Sequence, residues 1–262
     1  MLMYLTVMAA ALVVAALTLF SGFGIGTLLM PVFAIFFPIE GAVAMTAVVH
    51  LSNNLFKTAL VGKHADWSIA LRFIIPGLLF SAFGAYLLTR MAVSEPIYSY
   101  EFYGVHDMTL IKLVIAALML LFAILEFSKR FEGLAFPKKY IPLGGALSGF
   151  FGGLSGHQGA LRSAFLIRSI DDKTKFISTG VVCSVVVDLS RVAVYGTLFF
   201  GGTLTTIVDS GGLNLISAAV LTAFLGSFIG NRFMKKVKMR HIRNLVGGML
   251  LTVALLLGSG MI

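Results

Sequence analysis

The chain is poor in charge, cysteine and tryptophan, and each shortage removes a class of protein. Only 12% of its 262 residues are charged, against about 25% in an ordinary soluble domain. Hydrophobic residues make up 58% and the mean hydropathy is +0.98, which excludes a soluble globular protein and indicates an integral membrane protein. The single cysteine, Cys183, leaves no intrachain disulfide and no multi-thiolate metal site; it reads as a small apolar helix residue. No charge precedes Glu40, so the basic region of a cleavable signal peptide is missing and the first helix is expected in the mature protein. The sequence also lacks a nucleotide-binding P-loop, a His-Glu-x-x-His zinc helix and a Gly-x-Ser-x-Gly elbow. Ser155 stands close to His157 without an acidic residue nearby to orient it, and neither enzyme activity nor a cofactor is expected.

What the chain does have is apolar length. Hydrophobic segments fall near 2–20, 22–37, 41–62, 68–89, 108–127, 140–153, 158–170, 176–200, 212–231 and 244–262. A spanning helix needs roughly 17 to 25 residues, so 22–37, 140–153 and 158–170 are too short to cross alone. The net charge of +9 would suit nucleic acid, but its placement reports topology instead. Lys129, Arg130, Lys138 and Lys139 cluster in one connection, and Arg232, Lys235, Lys236, Lys238, Arg240 and Arg243 in another. By the positive-inside rule both loops, 128–140 and 231–243, are expected on the cytoplasmic side of the cell membrane, and no nucleic-acid partner is expected.

The two halves echo each other in order. Ser21-Gly-Phe23 matches Ser148-Gly-Phe150; Asn54-Leu-Phe-Lys57 with Gly62 matches Asp188-Leu-Ser-Arg191 with Gly196; Gly84 with Arg90 matches Gly230 with Lys236. Such duplication is the trace of many transporter folds. With both basic loops inside, the pair 140–153 and 158–170 reads as a hairpin that enters from the cytoplasm and returns. Arg168, Lys173 and Lys175 then lie inside, as do Lys63 and His64, whereas Glu95, Glu101, Asp107 and Asp209 lie outside. Each half, 1–130 and 131–262, comprises one broken re-entrant hairpin and three transmembrane helices. The fold expected is an all-α polytopic membrane protein built from two inverted repeats. The termini are expected outside, although segment 2–20 is long enough to cross by itself.

Glycine is concentrated where the second hairpin turns, in Gly152, Gly153, Gly156 and Gly159. Irregular backbone at membrane depth is tolerated only in a protein interior or beside a wet cavity. A half-helix beginning near His157 would aim its N–H groups at an anion; alternatively, these glycines serve close helix packing. Arg162 follows one turn later, and its donor fork suits sulfite, sulfonate or carboxylate oxygens, unless it bonds helix-end carbonyls or Asp188. Asp188 and Arg191 share a helix face and either neutralise each other or divide the work, Arg191 as anion ligand and Asp188 as orienter or proton carrier. Asn54 and Lys57 hold the equivalent places in the first half, with snorkelling to the interface as the alternative for Lys57. His157, and secondarily His50 beside Ser52 and Asn53, are the proton-coupling candidates, and Ser155, Gln158, Ser163 and Thr27 are neutral donors.

The stretches "SGFGIGTLLMP" at 21–31 and "LSGFFGGLSGHQGALRSAFLIR" at 147–168 resemble the TauE/SafE family of sulfite and organosulfonate exporters over essentially the whole chain. The resemblance implies a Gly-x-Gly-Gly-Gly core followed by proline in each half. Gly24, Gly26 and Pro31 keep part of that pattern, Thr27 replaces a glycine, and His157, Gln158, Gly159 and Ala164 depart from it. It further implies export of a small anion, such as sulfite or a C2 or C3 sulfonate, by one repeat moving against the other around a midplane site. The expected partners are the anionic substrate, the lipid bilayer, a coupling proton or sodium ion and, from the Gly-rich faces, a second copy of the chain. An anion channel and a non-transporting membrane subunit are the competing readings.

Overall fold

A computed structural model describes residues 1–21, 25–102, 104–128, 133–199, 211–233 and 239–262. Gly24, Lys129, Arg130, Asp209, Lys235, Lys236 and Lys238 lie outside the described residues, as do the side chains of Ser21, Arg232 and Arg240. Ten α-helices carry the described fold. In the first half they are α1 (Leu2–Ser21), α2 (Ile25–Ala34), α3 (Ile39–Val61), α4 (Trp67–Ala92) and α5 (Leu110–Phe127). The second half contributes α6 (Ile141–Ser155), α7 (Gly159–Leu166), α8 (Lys173–Phe199), α9 (Gly212–Phe233) and α10 (Met239–Gly258).

Local chemistry sets several of these boundaries. The Asp66 carboxylate accepts from the Ile69 N–H at 3.1 Å and starts α4. Thr109 does the same for α5 through the Lys112 N–H. Helix α6 ends at Gly156, whose φ of 82° few other residues adopt and whose N–H closes on the Gly152 carbonyl at 3.0 Å. At 1.5 Å per residue, α2, α6 and α7 extend only about 15, 22 and 12 Å, short of a hydrocarbon core of about 30 Å. Helix α1, with 20 residues, is longer than α6 with 15, because nothing among its described residues breaks it as Gly156 breaks the later hairpin.

Among the described residues, four helices are long and apolar enough to cross a membrane: α4, α5, α8 over Lys173–Thr197 and α9 over Gly212–Gly230. With 23 residues α3 has the length, but its hydropathy is lowered by His50, Asn53, Asn54 and Lys57, all buried. The protein is therefore a predominantly helical, multi-pass membrane protein. Its outward surface is apolar, with Leu71, Ile75 and Leu79 on α4 and Leu221, Leu225 and Phe228 on α9 all exposed.

Packing exchanges elements between the halves. Helix α4 lies along α6, α1 along α9, α5 along α10 and α3 along α8. The first two contacts are backbone to backbone. On α6, Gly145, Gly149 and Gly153 recur every four residues, and a Cβ at these positions would stand 2.2, 2.2 and 2.1 Å from the carbonyl oxygens of Phe73, Gly77 and Ser81 on α4. On α9, Gly226 and Gly230 meet the carbonyls of Leu12 and Ala16 on α1 in the same way. Small residues at this spacing let membrane helices approach closely where no hydrophobic effect drives them together.

Two features depart from the sequence reading. The 90–107 connection, expected as a plain loop, contains a short antiparallel ribbon, β1 (Tyr98–Glu101) and β2 (Val105–Met108), with Tyr100 opposite His106, in an otherwise helical fold. Its charges marked it as a loop, but alternating Tyr98 and Tyr100, stacked with His106, favour strand pairing. Arg243 is also not a loop cation. Because α10 begins at Met239, Arg243 is buried inside that helix and reaches the end of α5, with Nε 3.2 Å from the Glu126 carboxylate. Its Nη2 donates to the carbonyls of Leu125, Glu126 and Ser128 at 3.3, 2.8 and 3.1 Å. These carbonyls belong to the end of α5 and its cap, where the helix offers few N–H partners of its own.

Adding a methyl at Gly149 or Gly226 is expected to cost about 1–3 kcal/mol through overpacking, read as a lower melting temperature in detergent. Gly196→Ala, with open space around the glycine, is the control and should melt like wild type. Arg243→Ala strands the buried Glu126 carboxyl and is expected to cost about 3–5 kcal/mol. The loss should exceed that of Glu126→Ala, which leaves the guanidinium its carbonyl acceptors.

Candidate functional site

The most polar point of the interior lies where α3, α7 and α8 converge. Asp188 and Arg191, one turn apart on α8, are both fully buried. The Asp188 Oδ1 receives the Gln158 Nε2 at 2.8 Å and, from Arg191, Nη2 at 2.8 Å and Nε at 3.0 Å. Its Oδ2 receives the Asn54 Nδ2 at 2.9 Å. His50 Nδ1 bridges both oxygens, 3.0 Å from Oδ1 and 2.8 Å from Oδ2. His50 and Asn54 stand one turn apart on α3, so a single helix face from the first half meets the acidic helix of the second.

Arg191 also ties the cluster to the broken hairpins. Its Nη1 donates to the Gly152 carbonyl at 3.2 Å, and Tyr195, one turn further along α8, donates to the Gly153 carbonyl. Both acceptors belong to the last turn of α6, where the dipole favours a cation, and the Gly152 carbonyl also accepts the Gly156 N–H. A side chain at Gly156 would come within 3.2 Å of Nη1; one at Gly26 would come within 3.8 Å of Nη2 and 3.0 Å of the Gly156 carbonyl. Glycine at both places brings α2, the α6–α7 break and the guanidinium together.

The other candidates take separate positions. Arg162 is buried on α7 and donates to Ser184, one turn before Asp188 on α8; its Nε would touch a Cβ at Gly180. Helix α7 starts at Gly159 with Gln158 as its cap, two residues beyond His157. His157 faces α5, stacked on Phe122 with ring centroids 5.0 Å apart, and its Nδ1 is 3.0 Å from the Ser155 hydroxyl oxygen. Ser155 donates to the Phe151 carbonyl, and the His157 Nε2 is buried without a hydrogen-bond partner among the described residues. It is His50, and not His157, that the fold brings to Asp188.

Lys57 does not snorkel. It is 95% buried, at 5% exposure, and its Nζ is 3.0 Å from the Asn53 amide oxygen when that amide is turned to donate to Ser227 and the Ala223 carbonyl. Thr27 is buried within α2, Gly159 opens α7, and Ser148 donates to the Gln158 carbonyl at 2.9 Å, closing the hairpin neck. Gln158 Oε1 and Thr46 Oγ1 are further buried polar atoms without partners among the described residues. Sequence reasoning missed the Glu126–Arg243 pair and Tyr195. A lone acid at the end of apolar α5 was the available signal for the first, and a tyrosine four residues past Arg191 for the second.

Asp188 and Arg191 themselves have no exposed surface. A cavity of about 400 Å³ lies elsewhere, between α2 and α10, against Pro31, Ile35, Leu245, Met249 and Val253. The cluster is thus occluded: a carboxylate and a guanidinium of zero exposure, held by donors from both halves of the chain at the point where a broken hairpin ends. Buried ionisable groups at membrane depth mark substrate and ion pathways. Neither a curated protein nor a solved structure matches the chain. The family model described as "Sulfite exporter TauE/SafE" matches residues 7–257, nearly all of the sequence, and the chain belongs to that family of membrane transporters.

Proposed function

We propose that the chain is a secondary transporter that exports a small anion by alternating access. The substrate class is sulfite, an organosulfonate such as sulfoacetate, or a related sulfur oxyanion or carboxylate. The observation that carries this reading is the occluded polar cluster, in which Arg191 stands between Gly26 and Gly156 while its partner Asp188 receives donors from α3 and the head of α7. Arg191 and Arg162 supply positive charge, and Lys57 extends it along α3. His50, Asn54 and Gln158 supply directional donors, and the His157 and Gly159 backbone supplies N–H groups, those of Gly156 and Gln158 being engaged with the Gly152 and Gly156 carbonyls. Asp188, with His50 or His157, moves the coupled proton.

Inverted repeats over 1–130 and 131–262 are part of this reading. The exchanged pairing of α4 with α6 and α1 with α9, and the self-pairing of α3 with α8 and α5 with α10, is the pattern a two-fold relation between the halves would produce. The chain would reside in the cell membrane with loops 128–140 and 231–243 in the cytoplasm. An inside-negative potential of 100 mV drives an anion outward with about 2.3 kcal/mol per charge, so export needs no nucleotide. Full burial of Asp188 and Arg191 favours a gated carrier over an open channel.

Reconstituted protein should release sulfite or sulfoacetate from liposomes with saturation and counter-transport. Arg162→Ala is expected to raise the half-saturating concentration about tenfold, the equivalent of one hydrogen bond to a charged group. Flux linear in concentration without counter-transport would identify a channel, and no flux of any tested anion would retire the reading. Topology is testable because the native Cys183 is buried and should not label. Cysteines placed at the exposed positions Lys139 and Glu101 should react only from inside and only from outside, respectively.

A further inference from the structure

The Asp188 carboxylate receives more donors than it can use. Counting His50 Nδ1, Asn54 Nδ2, Gln158 Nε2 and the Arg191 Nε and Nη2, five nitrogens lie within 3.0 Å of its two oxygens. A carboxylate offers about four lone-pair sites, and Oδ1 alone is approached by four of these nitrogens. The two Arg191 nitrogens converge on that one oxygen rather than forking across both, which is the geometry a carboxylate prefers. The donor set is therefore larger than its present occupant and differently shaped.

We propose that this cage is the anion-binding site itself and that Asp188 fills it as a tethered stand-in for substrate. The proposal rests on the transport reading above and sharpens it. Five convergent donors suit an anion with three oxygens on one centre, a sulfonate or sulfite, better than a carboxylate. Entry of that anion requires the Asp188 side chain to leave. A destination lies on its own helix: Ser184, one turn toward the N-terminus of α8, holds the Arg162 guanidinium, and helical side chains lean in that direction. Exchange of one anion for another keeps Arg191 compensated, so neither state leaves a buried charge alone. In the empty carrier the tethered carboxylate closes the cluster and links α3 to α8.

The test uses the full-length protein in detergent, with melting measured in acetate, methanesulfonate and sulfite against chloride at equal ionic strength. Asp188→Ala should melt well below wild type and recover saturably with acetate and methanesulfonate, which replace the missing group. Asp188→Asn, which keeps the volume but not the charge, should bind methanesulfonate at least tenfold more tightly than wild type, because no carboxylate competes. Glu126→Gln, altered at a distant buried pair, should gain nothing from these anions. The proposal is overturned if wild type and both Asp188 variants bind with equal affinity, if neither variant responds beyond chloride, or if neither folds in any of the anions. Saturable export by wild type with any of those results would leave the transport reading standing and remove only this one. Rescue of Asp188→Ala by acetate without any wild-type flux would do the reverse.

Discussion

A carboxylate with no exposure, set at membrane depth, is the constraint around which the interior is arranged. An ionised side chain in such a place is tolerated only with a counter-charge and near-complete hydrogen bonding. Asp188 obtains both from three helices at once: Arg191 on its own helix, His50 and Asn54 on α3, and Gln158 at the head of α7. Those demands fix the azimuth of α3 and α8 about their axes and seat the α6–α7 break against them. Arg191 in turn satisfies the carbonyl end of α6, so the discontinuity in the membrane and the buried ion pair stabilise each other. Without the end of α6, the arginine Nη1 would lose the Gly152 carbonyl it donates to.

Around this polar centre the bundle is held by contacts of a different kind. Glycine stripes on α6 and α9 bring helix backbones together, and Arg243 closes the end of α5 from α10. The apolar core fills the remaining space with Phe33, Met45, Ile115 and Met119, all fully buried. Apart from the Glu126–Arg243 pair, the buried charges lie on α3, α7 and α8, and the apolar core packs around them.

Much of the helical scaffold was legible because a membrane chain writes its helices as apolar runs. The expected segment 68–89 corresponds to α4, 108–127 to α5 and 212–231 to α9, with ends differing by a few residues. The α6–α7 break was legible from Gly156, a residue type chosen for its backbone. The Asp188–Arg191 pair was legible from its spacing alone. What the sequence hid was long-range or masked by context. His50 meets Asp188 across 138 positions, and nothing local distinguishes it from His157, whose neighbouring glycines drew attention but whose ring turns to Phe122. Arg243 was hidden by company: surrounded by basic residues it reads as topology, and only the end of α5 gives it a different purpose. The β1–β2 ribbon was hidden by its charges.

The exchanged packing has a mechanical consequence. Helices α4 and α6 come from opposite halves of the sequence, yet they touch through main-chain atoms with no compressible side-chain layer between them. Such a seam resists both rolling and gradual slip, because any displacement drives a carbonyl into an α-carbon. The same holds for α1 and α9. Each seam therefore behaves as one stiff plank stitched from both halves, and a line drawn at residue 130 would cut through both planks. The contact between α3 and α8 is of another kind, with hydrogen bonds from His50 and Asn54 to Asp188 that can be broken and remade singly, so relative motion proposed for this molecule would have its softer seam there.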